Sequence, residues 1–174
     1  MLNTDHAGLD RLALAAAPGA GGLTLLPYLD GERTPNLPNA TGSLHGLTRS
    51  NATPENLARA VVEGMLLGLA AAVDAVRAAG CPVHRVLLIG GAAASVAVQE
   101  VAADVFGVPV AIPSPGEYVA VGAARQAAWA LAGGDAPPAW DVAVDVTIDP
   151  DEAGRARAAE VRGRYAATVA ATYP

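Results

Sequence analysis

The sequence contains no lysine, and all eleven of its basic residues are arginine. A P-loop lysine holding nucleotide phosphates is therefore excluded, as is a Schiff-base lysine. There is one cysteine, Cys81, so no disulfide forms within the chain. A reducing compartment, the cytoplasm, is the expected location. No run of about 18 uninterrupted apolar residues is present, so no membrane-spanning helix is expected. The apolar run Leu12 to Ala17 follows Asp5, Asp10 and Arg11 with no basic start, which does not read as a signal peptide. The "NAT" triplets at Asn39 and Asn51 are then chance matches. Net charge is −6 and the arginines are scattered. Without a basic stripe, nucleic acid is not an expected partner. His6, His45 and His84 lie far apart without metal-ligand spacing, so no metal site is expected.

What is present is enough chain, 174 residues at 52% hydrophobic, for one domain with a real core. "APGAGG", residues 17–22, breaks structure. "LTLLPYL" and "SLHGL" read as short strands around the loop "ERTPNLPNATG". A long helix then opens with Thr53 as N-cap and Pro54 at its first position, Glu55 suiting the dipole. Leu57, Val61, Met65, Leu69, Ala72 and Val76 follow helical spacing and predict its apolar face. Gly64, Gly68, Ala71 and Ala75 form a second, smooth face that another element can approach closely.

"VLLIG" predicts a buried strand, Ala94 to Phe106 a helix, "VPVAI" a second strand, and Val119 to Leu131 a third helix with Trp129 in the core. Trp140 is expected to cover a surface. "DVAVDVTI" reads as a short strand or an extended linker. Asp149 and Glu152 suggest the N-cap and capping-box partner of a last helix. Alternating helices and strands predict an α/β domain with a parallel strand pair.

The turn "GGAAAS" between strand and helix is the candidate site. A helix N-terminus favours anions, and glycines let a phosphate or ribose approach the backbone. Ser95 and Gln99 lie one turn apart and can face one ligand. A plainer alternative stays open: Gly90 and Gly91 only make a tight turn, Ser95 caps the helix, and Gln99 is solvated. A dinucleotide site does not fit, because G-x-G-x-x-G is absent and the next strand ends Ile112-Pro113-Ser114 without a carboxylate. Elsewhere, Glu32 and Arg33 either reach a cleft or sit solvated in their loop. Glu63, four residues after Arg59, reads equally as an ordinary surface pair. Asp30, Asp104 and Glu117 pair with nothing at short range. Cys81, before a proline at a helix end, reads as structural.

"LPYLDGERTP", "GSLHGLTRSNATPENLARAVVEG", "LLIGGAAAS" and "EYVAVGAA" together resemble the FGGY family of carbohydrate kinases, from about Gly21 to Leu131. "GERTP" resembles the xylulokinases among them. The resemblance implies an α/β, actin-like ATPase (ribonuclease H-like) lobe, the C-terminal one of two, incomplete at its N-terminus. It implies ATP and Mg²⁺, with Gly90 and Gly91 against the ribose and α-phosphate and Ser95 beside the adenine; Gln99, one turn on, completes the expected nucleotide-binding set, and the glycine backbone is its main reader. Ala120, Gly122 and Ala123 would belong to a hinge helix, and Glu63 would be the acidic end of the family signature. Residues 1–134 are then expected to form the nucleotide-binding lobe, 21–131 matching best. Residues 135–174 are expected to be a linker and a helix packing on that lobe.

The family's D-x-G-T-type phosphate loop, its G-T-S-type turn and the Gly-Asp carrying the base are not in this sequence. Phosphoryl transfer needs such groups. No catalytic residue is therefore expected here, and the isolated chain is expected to be inactive. The implied function is the adenine-nucleotide-binding part of a kinase transferring phosphate to a ketopentose, with the sugar held mainly elsewhere. The alternative is a non-catalytic binding or assembly module. Bare apolar surface and unpaired strand edges also suggest self-association, hence a possible homo-oligomer.

Overall fold

In the computed structural model, which describes residues 2–174, α-helices pack against one another and against two small sheets, one of two strands and one of three. Helix α1, His6–Ala15, starts where the Asp5 carboxylate accepts the Gly8 N–H at 2.8 Å. This helix was not anticipated from the sequence. Strands β1, Thr24–Leu26, and β2, Ser43–His45, form an antiparallel pair with Thr24 opposite His45. Asn51 ties the ends of this pair together: its Nδ2 donates to Gly21 O at 3.0 Å and Gly46 O at 2.9 Å. Asn51 is itself buried.

Helix α2, Pro54–Ala78, is capped by Thr53, whose hydroxyl accepts the Asn56 N–H. Its buried face is not the expected one. Val61, Leu69 and Val76 are exposed, whereas Ala58, Val62, Leu66 and Ala70 are buried. The reason is that α1, β1 and the later helix Val96–Phe106 pack around α2, so small side chains on several sides are covered while larger ones outside are not. The smooth face is real at Gly64: a Cβ there would lie 2.5 Å from Leu25 O of β1. Gly68 faces the Tyr165 hydroxyl, but Ala71 and Ala75 are exposed.

Strand β3, Val86–Leu87, runs parallel to β4, Val110–Pro113, through helix α3, Val96–Phe106. The parallel pair therefore forms as expected, but β3 is short and half exposed rather than buried. Helix α4, Tyr118–Ala132, follows. None of its residues is buried, so Trp129 is not in the core; its indole N–H donates to Gly134 O at the helix end. Trp140 is also partly exposed.

Strand β5, Val144–Ile148, pairs antiparallel with β4, giving the order β3-β4-β5. Helix α5, Glu152–Thr172, is capped by Asp151 and not by Asp149; the Asp151 carboxylate accepts the Gly154 N–H. The cap falls two residues later because the extended backbone that an N-cap requires belongs to Asp151. Arg162 anchors α5 to Val105 O and the Asp74 carboxylate, and Arg164 reaches Gly19 O at 2.9 Å. Buried Tyr165 meets Tyr28 beneath β1.

Candidate functional site

At the end of β3 the chain continues through Leu88 and Ile89 to Gly90. Gly90 has φ +91°, a conformation that L side chains rarely adopt. A short 3₁₀ turn, Gly91–Ala94, leads into α3. At the end of β4 the loop from Ser114 to Glu117 leads into α4. Between these two loops lies a cleft of about 630 Å³, walled by Leu88, Gly90, Gly91, Gln99, Ile112 and Tyr118. The volume lies in the range of small-molecule sites, about 300–1,000 Å³.

Three of the four candidate residues line this cleft: Gly90, Gly91 and Gln99. Gln99 donates from Nε2 to Ala93 O at 2.7 Å, which fixes the turn from within, so it is not merely solvated. Ser95 stands outside the lining. Its hydroxyl accepts the Val98 N–H at 3.1 Å and donates to the Asp10 carboxylate. The other oxygen of Asp10 accepts the Val96 N–H at 3.0 Å.

The α3 N-terminus thus already holds an anion, contributed by α1. The free donors lie one turn earlier. The N–H groups of Gly90, Gly91 and Ala92 bond to no acceptor among the described residues. The positive φ belongs to Gly90 and not to Gly91. A Cβ placed on Gly91 would meet no atom within 4 Å. Neither backbone geometry nor internal packing therefore requires glycine at position 91.

The cleft carries two carboxylates, Glu117 and Asp145, and no basic side chain among its described lining residues. The Ser114 hydroxyl donates to Asp145 at 2.6 Å, and the Tyr118 hydroxyl donates to Ser114 O, closing the loop against α4. Tyr118 and Asp145 were not singled out from the sequence. Tyr118 was legible as the residue opening α4; Asp145 arrives only through the β4–β5 register. Ala120, Gly122 and Ala123 are exposed on α4, which leaves that face smooth.

The other candidates lie outside the cleft. Glu32 accepts the N–H groups of Arg33 and Thr34, at 2.7 and 3.1 Å, and shapes its own loop. Glu63 is not a surface residue: it is 3% exposed, bonded to Arg59 Nε at 2.6 Å and accepting the Gly19 N–H at 2.8 Å. Among the described residues no cluster of three His, Cys, Asp or Glu side chains could hold a metal ion. No helix there is long and apolar enough to cross a membrane.

A parallel strand pair carrying a glycine turn at a cleft mouth, with α3 packed against it, is an α/β ligand site, and the match that follows makes it part of an actin-like ATPase lobe. Residues 3–131 match the profile of the "FGGY family of carbohydrate kinases, C-terminal domain", and the chain belongs to that family. The xylulose kinase of Streptomyces coelicolor is 43% identical over 160 residues, covering 90% of this chain and 32% of that protein. The crystal structure of xylulose kinase from Bifidobacterium adolescentis is 48% identical with a TM-score of 0.75, covering 92% of this chain and 32% of that one. The Rhodospirillum rubrum xylulose kinase structure is 32% identical with a TM-score of 0.80, covering 97% of this chain and 34% of that one. The chain spans about a third of the length of the relatives it matches.

Proposed function

We propose that the cleft beside Gly90 and Gly91 binds the adenosine end of ATP or ADP, as part of a kinase that phosphorylates xylulose. The observation that carries this is Gly91, a glycine facing open cleft space that nothing inside the protein requires. A ligand pressed against the backbone does require it.

The free N–H groups of Gly90, Gly91 and Ala92 would receive the ribose or the first phosphate. Leu88 and Ile112 supply apolar walls for the base, beside Tyr118. Glu117 and Asp145 suit hydroxyl donors such as those of ribose, and they repel uncompensated anions. Mg²⁺ would arrive on the nucleotide and neutralise phosphate charge, held by the phosphates and by groups outside these residues.

No group here takes the proton from the sugar hydroxyl, so the base and the sugar contacts come from other polypeptide. Residues 1–134 supply the glycine turn and most of the cleft wall, and Asp145 of β5 completes it. Residues 135–174 brace it through β5 and α5. The xylulose assignment rests on the named relatives. One lobe provides one wall of the full site, so affinity should be weak, with Kd near ~1 mM. At 10 mM ADP that is about 1.4 kcal/mol of stabilisation, a rise of roughly 3–6 °C in Tm for a chain of this size. A Tm unchanged by ADP but raised by xylulose would contradict the proposal.

A further inference from the structure

We propose that Asp10 is a positioning residue for the nucleotide: its carboxylate closes the N-terminus of α3 to phosphate and so fixes which way the nucleotide lies in the cleft. The inference rests on the nucleotide reading above and deepens it.

Two sets of N–H donors follow one another in the chain at this end of the fold. The first is the glycine turn, where the N–H groups of Gly90, Gly91 and Ala92 have no acceptor among the described residues. The second is the first turn of α3, where the helix dipole adds to the pull on an anion. The described lining of the cleft holds no basic side chain. Backbone N–H groups are therefore the main attraction for a phosphate here, and the two sets compete for it. Asp10 decides between them. One oxygen accepts the Ser95 hydroxyl and the other accepts the Val96 N–H at 3.0 Å. A carboxylate fixed on these donors sits where a phosphate would sit and repels one that approaches.

Folding does not require a carboxylate at this place. Ser95 already caps α3 by accepting the Val98 N–H at 3.1 Å. Val96 is 49% exposed, so water can serve its N–H once Asp10 is removed. Helix α1 is held by apolar packing, through fully buried Ala13 and through Leu9 and Leu12 against the core. The link also joins residues 85 apart in sequence, whereas a helix cap needs only a neighbour. With the α3 end filled, the nucleotide has one orientation left: its first phosphate at Gly90 to Ala92 and its base against Leu88 and Ile112.

The test titrates inorganic phosphate, at constant ionic strength, into the isotope-labelled chain and into Asp10→Ala. The amides of Val96, Ala97 and Val98 are read. They should stay still in the parent and titrate in the variant, with phosphate affinity at that helix end raised at least about tenfold. Asp10→Asn keeps the shape without the charge; it should change in the same direction, and it carries the test if Asp10→Ala does not fold. ADP should move the same α3 amides in the variants and not in the parent. Adenosine, which has no phosphate, should bind parent and variants within about twofold of each other. A purely capping role for Asp10 predicts a lower unfolding midpoint in the variants with no response of α3 to phosphate, and that result would overturn the proposal. So would α3 amides that bind phosphate as tightly in the parent as in the variants. If phosphate reaches α3 only in the variants while ADP moves no amide of the parent, the nucleotide reading falls and the closure of α3 stands.

Discussion

Gly91→Val and Ser95→Ala should fail in opposite ways. At Gly91 the added Cβ meets no atom within 4 Å and φ lies outside the left-handed region. Folding should therefore tolerate valine. Loss of glycine's freedom in the unfolded chain even favours the native state, by about 0.4–1 kcal/mol for the smallest such change, Gly→Ala. The valine side chain projects into the cleft, and nucleotide affinity should fall at least tenfold, ~1.4 kcal/mol or more. Ser95 has the reverse character. Its hydroxyl caps α3 and holds Asp10, so alanine removes an N-cap and one of the two hydrogen bonds that the Asp10 carboxylate accepts. The cost is about 0.5–2 kcal/mol of stability, with affinity of the surviving folded protein within about twofold. Urea unfolding gives the stability and a calorimetric ADP titration gives the affinity. The reasoning is refuted if Gly91→Val binds ADP like the parent. It is equally refuted if Ser95→Ala loses binding with its unfolding midpoint unmoved.

Gly64→Ala should destabilise by up to about 2 kcal/mol net, because overpacking against Leu25 of β1 costs about 1–3 kcal/mol and the better helix propensity of alanine returns ~1 kcal/mol; a urea midpoint shift in the stabilising direction would contradict this. Glu63→Ala leaves Arg59 buried without its partner and frees the Gly19 N–H, so chemical unfolding should show a loss of about 3–5 kcal/mol. Asp104 has its pKa raised, first by desolvation and then by the nearby Asp151 carboxylate. Its protonated form favours folding: this contribution is complete below the ordinary value of 3.8 and is lost as pH rises through the higher folded value. Asp104→Asn should therefore gain stability at pH 7, and the gain should vanish below about pH 4 in an unfolding series across pH.

Local signals were legible wherever one residue decides the structure. Thr53 and Pro54 fix the start of α2, and the breaker at "APGAGG" ends the N-terminal segment before β1. The face of α2 was not legible. Alanine and glycine make its pattern nearly uniform, and the true buried face also contains the paired Arg59 and Glu63. A charged pair four apart looks the same in sequence whether it is on the surface or buried. Helix α1 carried a readable cap, Asp5, but its run of alanine and leucine drew attention to targeting rather than folding. In the site, the glycine turn was visible because glycine itself is the signal. The Asp10–Ser95 link spans 85 residues and Asp145 enters through strand pairing, so neither leaves a local trace.

The most direct test of the nucleotide reading is a chemical-shift titration of the isotope-labelled chain with ADP. The account predicts that the amides of Gly90, Gly91, Ala92 and Gln99 move together with that of Tyr118, with one Kd near ~1 mM. It predicts that the loop from Glu32 to Asn39 stays still. Shifts confined to that loop, or no shifts at ADP concentrations about tenfold above that Kd, would leave Gly90 and Gly91 as a turn between a strand and a helix and nothing more.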